Sequence, residues 1–181
     1  ARRAGLLCIC DTADELVEFT TRNPVAFISH QWLALAQPDP DNMHFGATCV
    51  AVEALCAATG TDAASIFLWV DYSSIPQSNR TLQRLSISAL GMYACLARFF
   101  LAVAPAVRSQ RPDGDATCDR FTYARRGWCR LEQWARLSVG GTAGVYLHDG
   151  EALRPYEQQP SSSPVTPRRL AAAADAEVAA A

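Results

Sequence analysis

Apolar residues fall along this chain in short unbroken runs separated by amphipathic stretches, and that alternation predicts the elements. Residues 25–29 (VAFIS), 65–70 (SIFLWV) and 98–104 (RFFLAVA) lack polar alternation, the pattern of strands buried on both faces of a parallel sheet. Residues 143–147 (AGVYL) predict a fourth strand, and residues 5–10 (GLLCIC) either a short strand or a buried entry segment. Thr12 with Glu15 three positions on has capping-box spacing and opens a helix over 13–21, which Asn23-Pro24 breaks. Asp41 or Asn42, after the turn Pro38-Asp39-Pro40, caps a helix over 43–58 that Gly60 ends; its apolar positions are Phe45, Val50, Val52, Leu55 and Cys56.

A single helix is expected over 80–96, with Leu82, Leu85, Ile87, Leu90, Met92 and Tyr93 available to its core side. Residues 127–138 read as an amphipathic helix closed by Gly140-Gly141. Its inner side is Trp128, Leu131, Trp134 or Ala135, and Leu137, with Arg130, Gln133 and Arg136 elsewhere. Residues 105–126 are polar, carry Pro and Gly, and read as one long loop. From about 155 the text turns to Gln, Pro and Ser and then to Ala, the composition of a disordered tail or a weak helix. The order β-α-β-α-β-loop-α-β predicts an α/β sandwich with a mainly parallel sheet over 25–154. Residues 1–24 form an N-terminal extension and 155–181 a tail.

Length and composition narrow the class. The 181 residues suit one domain, and half are hydrophobic, enough for a core without staples. No apolar run approaches the ~20 residues of a membrane span. The net charge of −2 gives no pull toward nucleic acid or anionic lipid. All sixteen basic residues are Arg, so lysine Schiff bases and Walker-type phosphate loops are excluded. The seven cysteines (Cys8, Cys10, Cys49, Cys56, Cys95, Cys118 and Cys129) form no C-x-x-C pair and sit mostly in apolar text, which predicts reduced thiols in a cytoplasmic, metal-free protein. A chain that opens on Ala1 is expected to be an excerpt of a longer one.

In open parallel sheets ligands bind beyond the carboxyl ends of the strands. The first strand ends in Ser29-His30-Gln31-Trp32 and the second in Asp71-Tyr72-Ser73-Ser74, while Glu132 lies about one and a half turns into the helix that starts near Trp128. Parallel neighbours would bring these to one rim. Each has a plainer reading. His30 can bond a nearby backbone group, Asp71 can close its turn, Trp32, Trp128 and Trp134 can be core, Cys129 can be a packed thiol, and Glu132 can pair with Arg136 at i,i+4.

Phe27-Ile28-Ser29-His30 resembles the first strand of TIR domains. The stretch from Leu68-Trp69-Val70-Asp71 to Ile75-Pro76-Gln77 resembles their second strand and, more closely, a motif of the heterokaryon-incompatibility (HET) domain. Gly91-Met92-Tyr93 through Val103 resembles the HET helix-to-strand passage. Arg126-Gly127-Trp128-Cys129-Arg130-Leu131-Glu132 resembles both the TIR Trp-Cys-x-x-Glu motif and its HET counterpart. Ser29-His30-x-Trp32 together with Pro38-Asp39-Pro40 is similar to a protist branch of the superfamily. The likeness covers about residues 25–140.

It implies a flavodoxin-like three-layer fold with a mainly parallel sheet of four to five strands, and signalling by self-association. It also implies hydrolysis of the nicotinamide–ribose bond of NAD+, with Glu132 as the essential carboxylate. NAD+ or a related nucleotide would then be substrate rather than cofactor, Trp32 or Tyr72 a stacking surface, and Arg125 or Arg126 a partner for the pyrophosphate. Ser29, His30, Asp71 and Trp128 would complete the binding site. Loss of nicotinamide leaves an oxocarbenium-like ribosyl cation that a carboxylate stabilises. Two departures stand out: the long 105–126 stretch, which would cover or block a cleft, and the Pro76-Gln77 ending in place of the TIR glycine. The competing readings are a self-associating module without catalysis and a Cys129–His30–Asp71 hydrolase.

Overall fold

The first strand, β1 (Val25–His30), is fully apolar until its end, and it can be so because it is central. The computed structural model, which describes residues 7–35, 37–112 and 116–156, pairs it in parallel with β2 (Phe67–Val70) on one side and β3 (Phe99–Val103) on the other. Beyond β3 come β6 (Val145–His148), also parallel, and the antiparallel edge β7 (Leu153–Pro155), giving the order β2-β1-β3-β6-β7 among the described residues. The register Ala26↔Phe99 and Phe27↔Phe100 makes neighbouring side chains share a face.

Strand alternation therefore splits the core in two. Val25, Phe27, Phe100 and Ala102 face α5 (Leu90–Leu96) and α7 (Gly127–Gly140), where they meet Leu90, Ala94 and Cys129. Ala26, Ile28, Phe99, Leu101 and Val103 face α2 (Met43–Thr59) and meet Ala51 and Leu55. The result is a flavodoxin-like three-layer α/β fold. The stack Phe100–Phe27–Trp69–Tyr93, with centroids 5.5, 4.5 and 5.3 Å apart, ties three strands to α5. Phe27 and Phe100, both fully buried, contribute roughly 2–3 kcal/mol each, and the half-buried Trp69 and Tyr93 less.

Local chemistry sets the boundaries. Thr12 caps α1 (Ala13–Arg22) through the Glu15 amide, and α2 ends at Gly60 with φ +66°. Gly144, at φ +72°, lies so close to the Arg98 carbonyl that a Cβ would stand 2.7 Å from that oxygen. The buried Arg136 donates to the carbonyls of Cys95, Arg98 and Ala143 at 3.3, 3.4 and 2.9 Å, fastening the end of α5 and the start of β3 to the turn before β6.

Several expectations need correction. Residues 7–10 form no strand, and Leu7 and Ile9 are exposed. The second strand is an edge, not a strand buried on both faces: Leu68 is exposed, and Phe67 is covered only in part, by Phe19 at 4.8 Å. The helix expected over 80–96 is two, α4 (Arg80–Ser88) and α5, broken at Ala89, and Leu82, Leu85 and Met92 are exposed. On α2, Phe45 and Val50 point outward, because helical periodicity gives the core face to His44, Ala51 and Leu55.

The stretch 105–126 is not one loop. It holds the hairpin β4 (Val107–Arg108) with β5 (Thr117–Cys118), followed by α6 (Arg120–Arg125). The inner side of α7 is Cys129, Glu132, Gln133 and Arg136, with Trp134 exposed, so the reading that put Gln133 and Arg136 elsewhere is overturned. The edge strand β7, whose Pro155 fell within the expected tail, was not anticipated. Residues 157–181 of that tail lie outside the described residues. Among the described residues no helix is long and apolar enough to cross a membrane.

Candidate functional site

From β1 the chain passes to β2 on one side, and β3 lies on the other, so the sheet reverses its winding direction at the carboxyl end of β1. That is the switch point where open α/β sheets take ligands. Most of the predicted site residues stand around it, but alternation sends them to opposite faces.

On the α7 face, Ser29 Oγ donates to Glu132 Oε2 and accepts from the Tyr123 hydroxyl at 2.7 Å. Ser29, Tyr123 and Glu132 are 1%, 1% and 3% exposed. Burial pushes the Tyr123 hydroxyl well above its usual range, and the neighbouring Cys129 and Glu132 add to that. Beside them Gln133 accepts from the Tyr156 hydroxyl while its side-chain nitrogen is buried without a partner. Gln31 donates to Thr122 Oγ1 and to the Asp119 carbonyl, both at 3.1 Å.

On the α2 face, His30 Nε2 lies 3.8 Å from Asp71 Oδ1, and its ring centroid is 5.4 Å from that of His44. Asp71 opens the single turn α3 (Asp71–Ser74), accepts from the Tyr72 amide at 2.6 Å, and accepts from Trp32 Nε1 at 2.7 Å. Trp32 and Tyr72 meet edge to face at 6.0 Å, with Tyr72 exposed. His44 is buried with neither ring nitrogen partnered; burial, and then His30, hold it down to about 4. Asp39 accepts from the Phe45 amide in the first turn of α2, whose N-cap Asn42 makes no side-chain cap bond, and leaves Oδ1 buried without a partner. Among the described residues no three His, Cys, Asp or Glu side chains are grouped to hold a metal.

Two expectations change here. Glu132 and the pair His30–Trp32 share the rim but not one face. The Cys129–His30–Asp71 hydrolase does not assemble: the Cys129 thiol meets the His30 backbone carbonyl at 3.7 Å, while the imidazole is engaged with Asp71 and His44. Trp128 packs against the first core cluster, and Arg126 is the residue where α6 ends and α7 begins.

Sequence reasoning missed Tyr123, Thr122 and His44, and gave Gln31 a place on the rim but no role. One signal was present: Asp119 followed three positions on by Thr122, the spacing of the reciprocal cap that opens α6. Nothing local announced that Tyr123 would reach Ser29, 94 positions away.

A cleft of about 360 Å³ opens beyond β3 and β6, walled by Ala104, Asp119, Arg120, Phe121, Asp149 and Arg154. Arg120 lies over the Phe121 ring, 4.7 Å from its centroid. Asp149 pairs with Arg154. Burial works against the charge on Asp149, yet hydrogen bonds from the Ala152 amide, from Arg154 and from the Glu151 amide bring its carboxyl to about 2. Glu132 does not line this cleft. The helix α6 stands between, with Phe121 toward the cleft and Tyr123 toward Glu132. No family model, curated protein or solved structure matches the chain.

Proposed function

We propose that this chain is a TIR/HET-like signalling domain that hydrolyses the nicotinamide–ribose bond of NAD+ or a related nucleotide, with Glu132 as the catalytic carboxylate. The observation that carries the reading is the burial of Glu132 at the switch point, joined to the last residues of β1 by Ser29. Burying a carboxylate costs several kcal/mol that an apolar residue would not incur, so an acid at this place argues for use rather than packing.

The reaction needs little else. The glycosidic bond breaks with its electron pair going to nicotinamide, which leaves neutral. Glu132 faces the ribosyl cation, water adds at the anomeric carbon, and one proton is released. Trp32 and Tyr72, across the end of β1, offer ring faces to a base. A cytoplasmic setting belongs to the same proposal, in keeping with the thiols of Cys49, Cys56 and Cys95. Nicotinamide release from NAD+ by the purified chain, set against Glu132→Gln, tests the assignment. Equal release by both would remove Glu132 from the chemistry.

A second reading, self-association without catalysis, has its own observation. Phe67 and Leu68 on the open edge β2, Tyr72 on α3, and Leu82 and Leu85 on α4 are all exposed. A second copy of the chain is the occupant proposed for this edge, since β2 offers another β2 an unpaired ladder and the net charge of −2 opposes pairing weakly.

A further inference from the structure

We propose that α6 is a lid, latched to the end of β1 by Tyr123 and Gln31, that opens as a unit and uncovers Glu132. The inference rests on the reading of Glu132 as the catalytic carboxylate, because it explains how a side chain 3% exposed reaches a substrate.

The latch is small and specific. Tyr123 donates to Ser29 Oγ, which donates to Glu132. Gln31 donates to Thr122 Oγ1 and to the Asp119 carbonyl. The three bonds made by Tyr123 and Gln31 join residues 29–31 to residues 119–123, so they form or break together. The remaining attachment is concentrated in one side chain, the Tyr123 ring, which packs in the first core cluster. The helix has six residues, too few to stand alone in water, and only Thr122 and Tyr123 are buried, while Phe121 is 53% exposed. Extended backbone at Asp119 (φ −154°, ψ −174°) and at Arg126 (φ −68°, ψ 128°) bounds it, so rotation at two residues swings it without unwinding a neighbour.

The two sides of the helix do different work. Phe121 and Arg120 wall the 360 Å³ cleft, and Tyr123 seals the carboxylate behind it. Swinging α6 outward would merge cleft and carboxylate into one hollow at the switch point. It would free the Ser29 hydroxyl and also bare the Cys129 thiol, which is 1% exposed and lies one turn before Glu132 on the inner side of α7. That thiol reports opening without any substrate.

The test is amide hydrogen exchange and thiol labelling of the whole chain, without NAD+, each resolved by residue through peptide mass spectrometry. The expected result is that the α6 amides exchange, and Cys129 labels, at a common rate at least tenfold above that of the β1 and β3 amides. Tyr123→Phe should raise the Cys129 rate about fivefold, the worth of one hydrogen bond, and leave the β1 and β3 rates unchanged. Cys129 labelling only at the rate of the sheet amides, in the unmodified chain, overturns the lid whether or not the variant folds. Nicotinamide release is read separately, so a lid that opens over an inert Glu132 would defeat the enzymatic reading alone.

Discussion

The Ser29 hydroxyl donates a hydrogen bond to Glu132, 103 positions further along the chain, and so ties the end of β1 to the inner side of α7. Because Tyr123 donates to the same oxygen, Ser29→Ala breaks two buried hydrogen bonds at once. The cost should be about 1–3 kcal/mol for the groups left unmatched. Urea unfolding measures it; a loss below about 0.5 kcal/mol would mean the contact is incidental.

Stability should fall as the solution is acidified, through His44. Its folded-state value of about 4 lies below the ordinary 6.5, so between these values the unfolded chain binds the proton more tightly. The contribution is complete above pH 6.5 and is lost progressively toward pH 4. It amounts to roughly 3 kcal/mol. Burial shifts His148 in the same direction. His44→Phe should remove most of the dependence in this window. A wild-type stability that is flat from pH 6.5 to 4.5 would contradict the burial of a neutral imidazole.

Arg136→Met should destabilise the fold by about 2–4 kcal/mol, because three carbonyls lose their shared donor. The thermal midpoint reads this, and an unchanged midpoint would show that water replaces the guanidinium at no cost. Glycine at 140 belongs to the same packing, since a Cβ there would sit 2.9 Å from an Arg136 nitrogen.

What the chain discloses locally and what it hides follow from the range of the forces. The strands β1 and β3 were legible because burial on both faces needs unbroken apolar text, and α1 and α2 because Thr12 and Gly60 mark their ends. The break at Ala89 and the exposure of Leu82 and Leu85 were not legible, because apolar periodicity cannot tell a core face from a free one. The inner side of α7 misled for the opposite reason. Its buried residues include Glu132, Gln133 and Arg136, whose partners on β1, just before β3 and just beyond β7 are distant from them in the chain. The rim as a set of residues was readable; its division between two faces required the register.

The open edge β2 makes a prediction for association. Leu68→Lys together with Leu85→Glu should shift the chain toward monomer in sedimentation at concentrations where the unmodified chain self-associates. A charge on an exposed strand edge opposes pairing and should leave the folded monomer intact. Identical sedimentation of the two proteins would place any self-association elsewhere.

The proposed action of Glu132 on NAD+ is read out by nicotinamide release from chain held at high local concentration, compared with Glu132→Gln. That substitution preserves the shape and an oxygen to accept from Ser29, so the fold should stand while the charge is lost. Release is expected from the unmodified chain, with a loss of at least about a hundredfold in the variant, the order that follows removal of one transition-state electrostatic group. Release at the same rate from both, or from neither, would contradict the proposal.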